Sequence, residues 1–297
     1  MAHIQVQSVL FNNEADDIKK ALRAVSNASR ILQKHRNVTV DVVYGDCSPD
    51  KPCLSLNDVR EMERIHENGG FRYVIFGENL GSAEGHNRLA AGAPEGFILI
   101  QNPDVVGQGN YILELLSAFD QSNCGMAEAR QLPIEHPKDY DPRTGDTPWA
   151  TTACALISTE IFRQLNGFDS ETFFLYCDDV DFSWRVRLAG RRVLFQPSSV
   201  VFHDKRLNID GSWKPSSAER YYSIEASLLM AYKYSRPDRL NEVLAVCDKY
   251  ASDEVFARAA SNFRSREKIG KLPAQIDPEH KVSEFYNDNY CRHRFVI

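Results

Sequence analysis

The chain has 297 residues, with 35 basic against 41 acidic side chains and a net charge of −6, so no nucleic-acid partner is expected. A composition of 43% hydrophobic, 26% charged and 10% aromatic residues is globular and excludes the disordered and fibrous classes. At roughly 150 residues per domain, the length allows two domains or one large α/β domain.

Seven scattered cysteines, Cys47, Cys53, Cys124, Cys154, Cys177, Cys247 and Cys291, form no CxxC pair and no zinc-type cluster, and are expected to be reduced thiols. The start, MAHIQVQSVLFNN, has no basic leader or long apolar run, and every apolar run falls short of the ~20 residues of a membrane span. The expectation is a cytoplasmic protein, with peripheral contact at the inner face of a membrane and self-association left open.

In chain order, strands are expected at Ile4–Phe11, Val38–Tyr44, Phe71–Phe76 and Phe97–Ile100, then at Ala153–Ile157, Val193–Gln196 and Val200–His203. Between the first two, Ile18, Leu22, Val25, Ser29 and Leu32 recur at helical spacing. Glu14, Asp16 and Asp17 crowd the start of that helix, where carboxylates suit the dipole. Ser158 is expected to cap a helix that stops at Asn166-Gly167, and a helix from Asp178 should stop at Gly190. Gln131–Pro148 reads as a surface loop. Beyond about residue 205 the pattern turns helical, with breaks at Pro237, Ser252 and Pro273. The expected division is therefore residues 1–205, a catalytic α/β domain, and 206–297, a helical extension.

Several constellations could carry chemistry. Asn102-Pro103-Asp104 follows the apolar run FILIQ, which places Asp104 at the carboxyl end of a buried strand, where open α/β sheets bind ligands; a plain turn is the alternative. His203 ends the run SVVF and could join Asp104 in a mixed oxygen and nitrogen site for Mn²⁺ or Mg²⁺. In ENLGSAEGHNRLAAGA, Gly81 and Gly85 permit close backbone approach, and Asn79 and Asn87 offer amides before a helix that a diphosphate could use. Asp178 and Asp179 open a helix beside Phe173, Phe174 and Tyr176, so one of them could be a general base, while Asp181 and Arg185 are spaced to pair. Arg258–Lys271 is strongly basic, either as a solvated helix face or as a contact with an anionic partner.

Taken in order, VLFNNEADDIKKAL, VVYGDCSPD, ENLGSAEGHNRLAAGA, ILIQNPDVV, LNGFDSETFFLYCDDVDFSWRVRLAG and VLFQPSSVVFH resemble the family 2 glycosyltransferases of the GT-A fold, particularly the rhamnosyltransferase-like branch. The resemblance implies a Rossmann-like, mostly parallel sheet flanked by helices. It also implies an inverting, metal-dependent transferase with a nucleoside-diphosphate sugar donor (UDP- or dTDP-linked, dTDP-rhamnose included). The acceptor implied is a glycan or lipid-linked saccharide of bacterial surface polysaccharide. Phe11, Asn12 and Glu14 would lie beside the base, Asn79 and Gly81 near the nucleoside, and Asn102 and Asp104 at the DxD-type position, with Asp104 on the metal. Asp179 would be the catalytic base, Asp178 its partner in place of the usual glutamate, and His203 would reach the metal or diphosphate.

Two segments depart from the family pattern. Gly45-Asp46-Cys47-Ser48-Pro49-Asp50 replaces DNxSxD, so the acid that the resemblance expects to read the base is either shifted to Asp46 or missing, and Thr151 and Thr152 follow Trp149 where a glycine is common. The rival functions are a sugar-nucleotide pyrophosphorylase, which would want a glycine- and arginine-rich phosphate loop near residue 11, and an inactive binding or assembly subunit.

Overall fold

The computed structural model describes residues 2–135, 139–203, 215–286 and 290. The proposed division between residues 205 and 206 falls outside them, as does Cys291; the other six cysteines are free thiols. The first half runs β1 (Ala2–Leu10), α1 (Ala15–His35), β2 (Val38–Asp46), α2 (Leu56–Ile65), β3 (Phe71–Ile75), α3 (Gly81–Ala90), β4 (Phe97–Gln101), β5 (Val105–Gly107) and α4 (Tyr111–Ala118). The second runs β6 (Cys124–Leu132), β7 (Cys154–Ser158), α5 (Thr159–Gln164), α6 (Asp178–Leu188), β8 (Arg192–His203), α7 (Ser217–Lys233), α8 (Pro237–Lys249) and α9 (Glu254–Lys268).

The strands form one mixed sheet in the order β3-β2-β1-β4-β7-β6-β8-β5. β3, β2, β1, β4, β6 and β8 run one way, whereas β7 is antiparallel to β4 and β6 and β5 is antiparallel to β8. The carboxyl ends of β1, β2, β3, β4 and β8 therefore share one edge, the edge at which such sheets bind ligands.

Helices cover both faces because their apolar spacing demands it. In α1 the five residues read at helical spacing, Ile18, Leu22, Val25, Ser29 and Leu32, are all buried, and each large apolar side chain among them contributes about 1.5–3 kcal/mol. They join β1, β2 and α4 in one core. A second core sets Ala83 of α3, Ile161 of α5 and Phe182 of α6 against β4 and β7. A third joins the other side of α6, through Val180 and Trp184, to α7, α8 and α9. The helical region is thus packed onto the helix that carries the acidic pair.

Three sequence expectations are revised. The runs at Val193–Gln196 and Val200–His203 are a single strand, β8, whose partner register jumps from Ala129↔Gln196 to Arg130↔Val200, so that Pro197 sits in a bulge where its missing N–H costs no ladder bond. β6 was not expected, because Glu128 and Arg130 interrupt its apolar run; Glu128 is nevertheless fully buried. Its last residues, Gln131 and Leu132, take the start of the stretch read as a loop. Ser158 does occupy the N-cap of α5, without a side-chain cap bond, and Asn166, Gly167 and Gly190 end their helices with positive φ.

Candidate active site at the carboxyl edge of the sheet

Asp104 and His203 meet because of strand pairing. The β4–β5 turn is closed by Val105 N–H donating to Asn102 O at 3.1 Å, and Val105 then stands opposite His203 in the β5–β8 ladder. Asp104 Oδ1 consequently lies 3.6 Å from His203 Nε2, while His203 Nδ1 is 2.8 Å from Gln131 Oε1. With Nδ1–H donating to Gln131, the Nε2 lone pair faces the carboxylate, the arrangement a metal-binding histidine uses. Two atoms 3.6 Å apart can both bind a cation at about 2.1 Å, so the pair fits Mn²⁺ or Mg²⁺. No cluster of three or more His, Cys, Asp or Glu ligands occurs among the described residues, so diphosphate and water would complete the shell.

The residues expected around the base form two stitched loops after β1 and β2. Asn12 N–H donates to Ser48 Oγ at 2.9 Å and Asn13 N–H to Cys53 Sγ at 3.3 Å, with Asn12 itself at φ 53. Phe11 is 45% exposed, leaving a ring face open beside the strand end, and Glu14 is the N-cap of α1. Asp46 is fully buried and accepts from Ser48 N (2.9 Å), Cys53 N (2.6 Å) and the Tyr73 hydroxyl. Burial opposes its charge, but these bonds win and hold the carboxyl below its ordinary value. Its oxygens are thus committed to shaping the loop.

Gly81 joins the two halves of the site. Its φ is +71, and a Cβ there would lie 2.2 Å from the backbone oxygen of Phe174, a position only glycine fills. Gly81 N–H is capped by Asn79 Oδ1 at 3.2 Å, and Ser82 N–H donates to Phe174 O at 3.1 Å. The turn expected near the nucleoside is therefore fastened to the loop that delivers the acids.

That loop is strained. Tyr176 and Cys177 both have left-handed backbones, φ 68 and 59, a cost of order 1–3 kcal/mol each for non-glycine residues. The Tyr176 hydroxyl bonds Glu219 of α7 at 3.2 Å, and Asp181 N–H donates to Cys177 O at 2.8 Å, holding the turn. Asp178 is buried, and burial together with the adjacent Asp179 charge pushes its carboxyl up to about 7. Asp179 is partly exposed and accepts from Val180 N–H at 2.8 Å.

Asp181 pairs with Arg185 at 2.7 Å as its spacing suggested. Sequence reading missed its other partners: Lys233 Nζ at 2.5 Å, from the last residue of α7, and the hydroxyl of Tyr234, its C-cap, at 3.0 Å. Lys233 also reaches Asp169 at 2.7 Å. Long-range partners such as these carry no local spacing signal. Within the basic stretch, Arg264 pairs with Asp248 at 2.8 Å and Arg266 donates to Glu171 O at 3.1 Å.

No family model matches the chain. A segment of 65 residues, 22% of the chain, is 35% identical to the N-acetylglucosaminyl-diphospho-decaprenol L-rhamnosyltransferase of Mycobacterium tuberculosis, covering 21% of that protein. A segment of 55 residues, 18% of the chain, is 34% identical to rhamnosyltransferase WbbL of Escherichia coli K12, covering 20% of it. The match thus spans about a fifth of these relatives.

Solved structures match far more of the chain. The mannosyltransferase PcManGT of Pyrobaculum calidifontis, solved with GDP-Man and Mn²⁺, superposes with a TM-score of 0.57 at 15% identity over 90% of this chain and 82% of that one. GalNAc-T7 with UDP, GalNAc and Mn²⁺ gives 0.64 at 13% identity over 93% and 55%. Staphylococcus aureus TarS 1-349 gives 0.53 at 13% identity over 91% and 92%. The chain has the GT-A fold of glycosyltransferases. The resemblance drawn from the motifs holds for the fold and for partial homology to rhamnosyltransferases. Among the described residues no helix is long and apolar enough to cross a membrane.

Proposed function

We propose that the chain is an inverting, metal-dependent glycosyltransferase that moves a sugar, rhamnose foremost, from a nucleoside diphosphate to a hydroxyl of a glycan or lipid-linked acceptor. The observation that carries this reading is the fastening of two half-sites: Gly81 packs against the Phe174 backbone and Ser82 N–H donates to Phe174 O at 3.1 Å, which ties the loop leading into the acidic helix to the start of α3. Partial homology to rhamnosyltransferases supports the sugar class.

Asp104 and His203 would hold a divalent cation, which when bound neutralises charge on the departing diphosphate. Asn102 shapes the turn that presents Asp104, and Phe11, Asn12 and Glu14 border the base. Asp179 Oδ accepts the proton of the acceptor hydroxyl, whose oxygen bonds the anomeric carbon as the diphosphate leaves with the bonding electron pair. Such a base typically contributes about 10²–10⁴-fold. Burial and the neighbouring Asp179 charge favour the protonated form of Asp178.

The test is Asp179→Asn, assayed for transfer from a panel of UDP-, dTDP- and GDP-sugars chosen by thermal shift, since a donor at 100 times its Kd adds about 2.7 kcal/mol of stability. Transfer should fall at least a hundredfold while nucleotide binding stays within a few-fold. Near-normal turnover would remove Asp179 from the mechanism.

A further inference from the structure

Between α7 and α9 lies a groove of about 300 Å³ lined by Ser217, Tyr221, Tyr222, Glu254 and Arg258. That volume is at the lower end of small-molecule sites. It opens beside the strained loop, because the Tyr222 ring packs on Phe174 with centroids 4.9 Å apart, and Phe174 is the residue whose carbonyl receives Ser82 N–H. Tyr221 continues the aromatic row at 5.0 Å from Tyr222, and its hydroxyl is pinned by Glu225 at 2.8 Å and Asn262 at 3.1 Å.

The groove carries one arginine and one glutamate. The Arg258 guanidinium lies 4.1 Å from the centroid of Tyr221, and no ion pair ties it to an acid among the described residues. Its neighbours Arg220 and Arg264 are both paired, with Asp253 and Asp248. A planar guanidinium on an aromatic floor, with no salt bridge among the described residues closing its fork, suits a bidentate anion such as phosphate. The half-buried Tyr222 ring, with the Glu254 carboxylate lining the same groove, suits the apolar face and hydroxyls of a pyranose.

We propose that this groove is the acceptor subsite and that it takes a pyranosyl diphosphate, the sugar on Tyr222 with hydroxyls toward Glu254 and the diphosphate on Arg258. The proposal rests on the glycosyl-transfer reading and names its acceptor class. It also divides the basic stretch: Arg264 and Arg266 are structural, whereas Arg258 meets the ligand.

Titration calorimetry tests it with two probes, N-acetylglucosaminyl diphosphate on a short prenol and inorganic pyrophosphate. The exposed position of Arg258 makes Arg258→Ala a mild change for folding. Arg258→Ala should weaken both probes at least tenfold, and Arg258→Lys, which keeps charge without the fork, should recover part of that loss. Tyr222→Ala should weaken the sugar probe at least tenfold and pyrophosphate less than threefold. No binding of the sugar probe, or equal binding by all variants, overturns the proposal. Loss of anionic-vesicle binding in Arg258→Ala with unchanged probe affinity also overturns it, in favour of a membrane surface. Nucleotide binding to the unaltered protein, with and without Mn²⁺, is read separately, so failure of the transfer reading shows there and failure of the groove shows in the variants.

Discussion

Asp178→Asn separates the two neighbouring carboxylates by their thermodynamics. In the unfolded chain an aspartate loses its proton near 3.9, whereas burial and the Asp179 charge raise Asp178 to about 7 in the folded protein. Between those values the unfolded chain is already ionised while the fold still holds the proton. Stability from this group is therefore complete below about pH 4, declines as pH rises, and is lost above about pH 7. A shift of about 3 units at 1.36 kcal/mol each corresponds to about 4 kcal/mol. At roughly 2 °C per kcal/mol for a chain of this size, the Tm difference between variant and parent should grow by about 8 °C from pH 4 to pH 8 in favour of the asparagine. Scanning calorimetry across that range measures a difference of differences, so any constant packing loss cancels. Parallel Tm profiles for the two proteins would refute the burial of a protonated Asp178.

The remaining predictions concern the metal pair, the α6–α7 network and the shared glycine. Asp104→Ala and His203→Ala should each weaken Mn²⁺-dependent nucleotide binding by tenfold or more in calorimetry, and EDTA should do the same to the parent; a donor affinity indifferent to chelator would return Asp104 to a turn residue. Asp181→Ala strips a fully buried carboxylate from Arg185, Lys233 and Tyr234 and should cost about 3–5 kcal/mol in urea melts, with less than 1 kcal/mol contradicting the network. Gly81→Ala should lower both Tm and transfer, because its Cβ would displace the Phe174 backbone; an unchanged Tm would mean that the turn and the acid loop are not fastened together.

What the sequence disclosed was whatever has a short-range signature. The period of α1, the glycine stops at Gly167 and Gly190 and the strand-end positions of Asp104 and His203 are all local patterns, and each sits where its pattern placed it. β6 escaped notice because a strand with a buried Glu128 breaks the apolar rule. The left-handed pair Tyr176–Cys177 was invisible, since neither residue type advertises positive φ and one of the bonds holding it comes from distant α7. Asp46 shows the same limit: its chain position recommended it for base recognition, but the Tyr73 hydroxyl and the Cys53 amide that occupy its oxygens arrive from elsewhere in the loop and sheet.

A single displacement by an acceptor hydroxyl activated by Asp179 is the core of the account, and the anomeric configuration of the product tests it most directly. Proton NMR of the first-formed glycoside, made from whichever nucleotide sugar the thermal screen selects, should show the configuration opposite to the donor's. Retention would require a covalent intermediate on a carboxylate nucleophile and would contradict both the role of Asp179 and the inverting mechanism.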